Sequence, residues 1–136
     1  MSFVYFTDRD LGKRFPEILK SGGLTVERHA DHFAHDAPDE TWLEAIGKRG
    51  WIALTHDRRI RYKPNELRAV MQHGVSLLVI VGKAPFPDLA NNFVNSRSVI
   101  ESFLSGRKPP FIAKVYRPSS SQHATAPGHV DLWYQP

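Results

Sequence analysis

The sequence predicts an α/β fold: a three-layer αβα domain with a mainly parallel central sheet and a C-terminal strand extension. Three observations carry this. Short β-branched or aromatic runs alternate with segments of helical spacing through residues 3–105, and such alternation builds parallel sheets covered by helices. The most apolar run, VSLLVIV at 75–81, has the length and branching of a strand buried on both faces. Glycine and proline punctuate nearly every boundary between the runs.

Taken in order, Phe3-Val4-Tyr5-Phe6 is strand one. Residues 10–20 space Leu11, Phe15, Ile18 and Leu19 as a helix face, with Pro16 near its start and Gly22-Gly23 at its stop. Leu24 to Arg28 alternates as strand two, and HADHFAHDAP at 29–38 is a polar, His-rich loop. A second helix begins near Asp39, with Trp42, Leu43 and Ile46 inward and Gly47 and Gly50 as its end. Trp51 to Leu54 is strand three. Pro64 opens a third helix striped by Leu67, Val70 and Met71 and closed by Gly74; Val75 to Val81 is strand four. After GKAPFP, residues 87–105 read as a fourth helix, with Leu89, Phe93, Val94, Ile100, Phe103 and Leu104 inward. Phe111 to Tyr116 and Val130 to Tyr134 read as a strand pair, joined by the loop PSSSQHATAPG at 118–128.

The 136 residues suit one domain, spanning 1–136, with a core at about 3–105 and the strand extension at 110–136. There is no cysteine, which excludes disulfides and thiolate zinc sites and favours the cytoplasm. No apolar run approaches the roughly 20 residues of a membrane span, and residues 1–7 lack the basic start of a signal peptide, so no membrane partner is expected. A net charge of +4 and a pI of about 9.6 favour a polyanionic partner.

In parallel sheets the functional site lies beyond the carboxyl ends of the strands. Asp8 follows strand one, Asp57 follows strand three in WIALTHDRRIR, Asp39 opens the helix after strand two, and Lys83 follows strand four. Clustered carboxylates repel one another unless a cation joins them, and Mg²⁺ or Mn²⁺ is the usual oxygen-seeking choice. Asp also favours helix N-caps, which gives Asp8 and Asp39 a purely structural alternative. Thr55 can orient a carboxylate, and His56 is a candidate proton shuttle. Arg58, Arg59, Arg61 and Lys63 crowd behind Asp57. With Arg9 they are candidates for the phosphate backbone of a nucleic acid, with plain solvation as the alternative. The His-rich loop has the composition of a zinc or nickel site, but its spacing matches no helical ligand pair, so it reads as a polar loop with Phe33 packed inward. Trp133 and Tyr134 read as hairpin packing or an oligomer contact, with base stacking as the alternative.

TDRDLGKRF after a first strand, followed by APDETWLEAIGKRGWIALTHDRRIR, resembles the PIN-like domains of VapC-type toxins, from about residue 3 to 82. The resemblance implies an α/β, magnesium-dependent ribonuclease, the toxin of a type II toxin–antitoxin pair, with RNA as substrate, a cognate antitoxin as partner and a homodimer as a frequent assembly. It carries the acidic metal positions onto Asp8, Asp39 and Asp57, with Asp10 and Glu40 as candidates for a fourth acid. The late acid that such domains carry after strand four is absent, since that strand ends in Gly82-Lys83. A weak or inactive binding module on the same fold is one alternative. A phosphoacceptor receiver domain is another, evoked by Lys83-Ala84-Pro85, although a receiver places its lysine after strand five.

Overall fold

The computed structural model describes residues 2–119 and 126–136. Among these, six strands form one sheet: β1 (Val4–Thr7), β2 (Thr25–Arg28), β3 (Ile52–Thr55), β4 (Ser76–Ile80), β5 (Phe111–Tyr116) and β6 (His129–Tyr134). The spatial order is β2-β1-β3-β4-β5-β6. Strands β1 to β5 pair in parallel, and β6 runs antiparallel to β5. The helices are α1 (Arg14–Ser21), α2 (Asp39–Arg49), α3 (Pro64–Gln72), α4 (Phe86–Asn95) and α5 (Arg97–Ser105). The architecture is the expected one: a mainly parallel sheet between helices, extended by a C-terminal strand.

Successive strand residues point to opposite faces, and both faces are apolar here. Tyr5, Leu54, Leu78 and Ile80 pack with Phe15, Leu19, Phe93, Ile100 and Leu104 of α1, α4 and α5. Phe6, Ala53, Leu77 and Val79 pack with Trp42, Leu43, Ile46 and Val70 of α2 and α3. This double burial explains why β4 reads as an uninterrupted apolar run rather than an alternating one.

Two helices differ from the sequence expectation. The segment expected as one helix from residue 10 is a 3-10 turn at Arg9–Leu11, then α1 from Arg14; Gly12, at φ 70°, separates them. The helix expected over 87–105 breaks at Ser96 into α4 and α5. The break has a distant cause. Buried Ser96 donates its hydroxyl to Asn92 Oδ1 at 3.3 Å and accepts the Gly128 N–H at 2.8 Å. Asn92 in turn donates to the Tyr116 carbonyl at 3.3 Å. The bend therefore holds the chain as it leaves β5 and returns as β6. The loop read at 118–128 lies largely outside the described residues.

Gly47 does not end α2; it lies inside it, and Gly50, at φ 69°, is the cap. A Cβ at Gly47 would stand 2.2 Å from the His73 carbonyl oxygen at the end of α3. Helix propensity favours alanine there by about 1 kcal/mol, but overpacking against rigid backbone costs about 1–3 kcal/mol. Gly47→Ala is therefore expected to lower the urea midpoint of unfolding. An unchanged or raised midpoint would contradict this close approach of α2 and α3.

Candidate functional site

The chain passes from β1 out to β2 and then crosses back over β1 to β3, so the sheet order reverses between β1 and β3. Ligand crevices form at such a reversal, beyond the carboxyl ends of the strands. Asp8 follows β1 directly, and its N–H donates to the Leu54 carbonyl of β3 at 2.9 Å. A cleft of about 470 Å³ opens at this point, lined by Asp8, Arg9, Asp10, Asp39, His56, Asp57, Arg58, Arg59 and Lys63.

Thr55, fully buried at the end of β3, organises the acids. Its hydroxyl lies 3.0 Å from Asp8 Oδ2 and 3.1 Å from Asp10 Oδ2, and it accepts the Asp57 N–H at 3.2 Å. A hydroxyl has one proton to donate, so it serves only one of the two carboxylates at a time. The Asp8 carboxylate accepts the Arg9 N–H at 2.7 Å, which caps the 3-10 turn. Asp10 accepts the His56 N–H at 3.2 Å. Burial, with the charge of Asp10 added, pushes the Asp8 carboxyl up to about 7. Burial also raises Asp10, against the bonds from His56 and Thr55. The pair is thus short of positive charge.

The other two acids are already paired. Asp57 receives Lys63 Nζ at 2.6 Å and the Arg59 N–H at 3.0 Å. Burial pushes its carboxyl up, but these partners outweigh burial and hold it below the usual range. Asp39, the first residue of α2, accepts Trp42 Nε1–H at 3.0 Å and pairs with Arg9 Nη2 at 3.3 Å. Arg9 also donates to His29 Nε2 at 3.1 Å and to the Ala37 carbonyl at 3.4 Å. Among the described residues, no group of three or more His, Asp or Glu side chains is placed to hold one metal ion. Hard oxygen donors with an unneutralised charge, as at Asp8 and Asp10, nevertheless fit a divalent cation.

The cleft gathers most of the residues singled out in the sequence, but Glu40, Arg61 and Lys83 do not line it. Glu40 lines a separate groove between α2 and α3. It stands one residue past Asp39, about 100° further round the helix. Arg61 turns from the cleft, its guanidinium 5.2–5.5 Å from the ring centres of Tyr62, Tyr134 and Trp133. Arg58 and Arg59 are exposed at the cleft mouth. His56 Nε2 donates to the Gly82 carbonyl at 2.8 Å, and Lys83 is not among the cleft residues.

The sequence places His29 only in the polar His-rich loop, without a partner in the cleft. It is buried, and because Nε2 accepts from Arg9, Nδ1 carries the proton, buried without a partner. Burial, reinforced by the Arg9 charge, lowers its pKa. A neutral His29 holds Arg9 toward Asp39. The signal was available: His29 directly follows strand two, at the same sheet edge as Asp8 and Asp57. In the rest of that loop, His32 pairs with Glu27 at 2.7 Å, and Phe33 packs edge-on against Phe6 as expected.

The acid-lined cleft thus lies at the switch point of a mainly parallel α/β sheet. A family model described as a PIN like domain matches residues 3–82, more than half of the chain, and the chain belongs to that family. Comparisons with curated proteins and with solved structures return no match. PIN-like domains are commonly nucleases. No helix among the described residues is long and apolar enough to cross a membrane.

Proposed function

We propose that this chain is a metal-dependent endoribonuclease acting in the cytoplasm as the toxin of a type II toxin–antitoxin pair. The observation that carries the nuclease reading is the four-aspartate cleft, with the Asp8 carboxyl driven up to about 7 by burial and the neighbouring Asp10 charge. The toxin assignment rests on the resemblance of the Asp8 and Asp39–Asp57 segments to VapC-type proteins. An antitoxin and a second copy of the chain are the protein partners under this reading.

Asp8 and Asp10 would hold Mg²⁺ or Mn²⁺ first, with Asp57 and Asp39 joining as they exchange Lys63 and Arg9 for the ion. When bound, the ion would supply Lewis acidity toward a phosphodiester and the water that attacks it. The protein's own groups do the rest. Thr55 orients the carboxylates of Asp8 and Asp10 through its one hydroxyl. Exposed Arg58 and Arg59 receive phosphates in bidentate fashion. Lys63, once released from Asp57, adds positive charge where the scissile phosphate sits. His56 has Nε2 committed to Gly82, so Nδ1 is the nitrogen left to accept a proton.

Asp57→Asn tests this reading. The amide oxygen can keep the Arg59 N–H bond, so the fold should persist while a metal charge is lost. Manganese-dependent cleavage of single-stranded RNA is expected to fall about 100-fold or more. A wild type that cuts no RNA with either metal, or a variant that cuts equally well, would leave the chain a binding module on this fold.

A further inference from the structure

We propose that the Tyr62 ring, braced by Arg61 and Trp133, is a stacking platform for an unpaired nucleobase of single-stranded RNA. The inference rests on the ribonuclease reading of the neighbouring cleft and names the form of RNA that cleft takes. Tyr62 ends the 3-10 turn Ile60–Tyr62, between the cleft residues Arg59 and Lys63. Tyr62 is 67% exposed; among the described residues the other exposed large hydrophobic is Leu132, at 41%.

The ring is exposed yet held. Its edge packs against Trp133 at 5.8 Å and 80°. Arg61 lies over it at 5.2 Å and donates Nη1 to its hydroxyl at 3.2 Å. Arg61 is itself fixed by the rings of Trp133 and Tyr134, with Nε buried and without a partner. On Trp133, Lys114 Nζ sits 3.9 Å from the ring centre. Two cations are therefore committed to building a rigid aromatic surface rather than to pairing with acids. A ring already ordered loses little entropy when a base stacks on it, and bases of every kind have a face to stack.

The surroundings favour RNA over a protein. A protein interface needs a contiguous apolar centre. Here the exposed large hydrophobics are Tyr62 and Leu132, and Leu132, next to Trp133 on β6, faces the other side of the sheet. One free ring matches one base. Arg58, Arg59 and Lys63 flank it with charge for the phosphates on either side. A duplex keeps its bases stacked inside and offers the ring nothing.

The test uses the full chain, a fluorescein-labelled oligo(A) RNA of about 12 nucleotides, and its duplex with oligo(U). Polarisation is read with Ca²⁺ in place of Mg²⁺, and the strand is checked to be uncut. Tyr62→Ala is expected to weaken single-strand binding about 5- to 100-fold without changing the salt slope, because stacking is lost and no phosphate contact is. Tyr62→Phe should bind like the parent, and duplex binding should not respond to either change. The proposal is overturned if Tyr62→Ala binds the single strand as the parent does, if it loses both RNAs equally, or if the parent binds neither; a protein contact would then be the remaining use of the ring. Cleavage in Mn²⁺ is scored separately. Cutting with Tyr62-independent binding removes the platform alone, whereas Tyr62-dependent binding without cutting removes the ribonuclease reading alone.

Discussion

At about pH 8 and without divalent metal, the Asp8→Asn protein is expected to melt on the order of 10 °C above the parent, while losing RNA cleavage. The Asp8 carboxyl rises from its ordinary 3.8 to about 7 because burial and then the Asp10 charge oppose ionisation. The folded chain therefore holds this proton more tightly than the unfolded chain does. That contribution to stability is fully present below about pH 4 and is lost as pH rises through about 7, a swing of about 4 kcal/mol. Asparagine removes the buried charge. Its oxygen can keep the Arg9 N–H bond, and its amide can donate to Asp10. Calorimetry in EDTA between about pH 4 and pH 8 should show the parent losing stability with rising pH and the variant nearly level. Manganese at the upper pH should raise the parent's melting temperature and leave the variant's unchanged. A parent that is level across this range would refute the strained carboxylate pair.

Trp42→Ala is expected to cost about 3–5 kcal/mol in urea unfolding, among the largest losses any single change here would cause. Trp42 is fully buried, and its ring packs 5.3 Å from Phe6 and 6.5 Å from His29. Its indole N–H also ends on Asp39 at 3.0 Å, so core and cleft meet in one side chain. Trp42→Phe separates the two roles. Much of the packing is kept, yet Asp39 loses a donor that orients it. A smaller stability loss should then accompany a 10- to 100-fold loss of manganese-dependent cleavage, in the range found for outer partners of metal-site residues. Equal cleavage by Trp42→Phe and the parent would mean that Asp39 needs no such orientation.

The parallel sheet and the cleft acids were legible because their causes are local. β-branched runs announce strands, and an acid just after a strand has to emerge at its carboxyl end, which is how Asp8 and Asp57 were found, with Asp10 entering only as a candidate fourth acid beside Asp8. Asp39 was found as a helix-opening acid, although Pro38 rather than Asp39 is the N-cap residue. What stayed hidden depends on distant partners. The break at Ser96 answers to Gly128 and Tyr116, far along the chain, and the stripe of α4 and α5 runs through it unchanged. Gly47 reads as a helix stop until His73 is seen against it. Arg61 belongs to the basic run in sequence, but Trp133 and Tyr134 of β6 capture it. His29 lay inside a His-rich loop whose composition drew attention to metal, and its actual neighbour, Arg9, lies on a different segment.

After the first crossover, place in the sheet repeats place in the chain: β3 joins the open border of β1, and β4, β5 and β6 each join the border left open by the strand before. A ribosome delivers them in that same sequence. Every newly emerged strand thus meets a waiting template and none has to be threaded between two already paired neighbours. Assembly can advance outward from β1 like laid planks, until β6 turns back and sets His129 and Asp131 on the last border, where polar side chains discourage pairing with another chain.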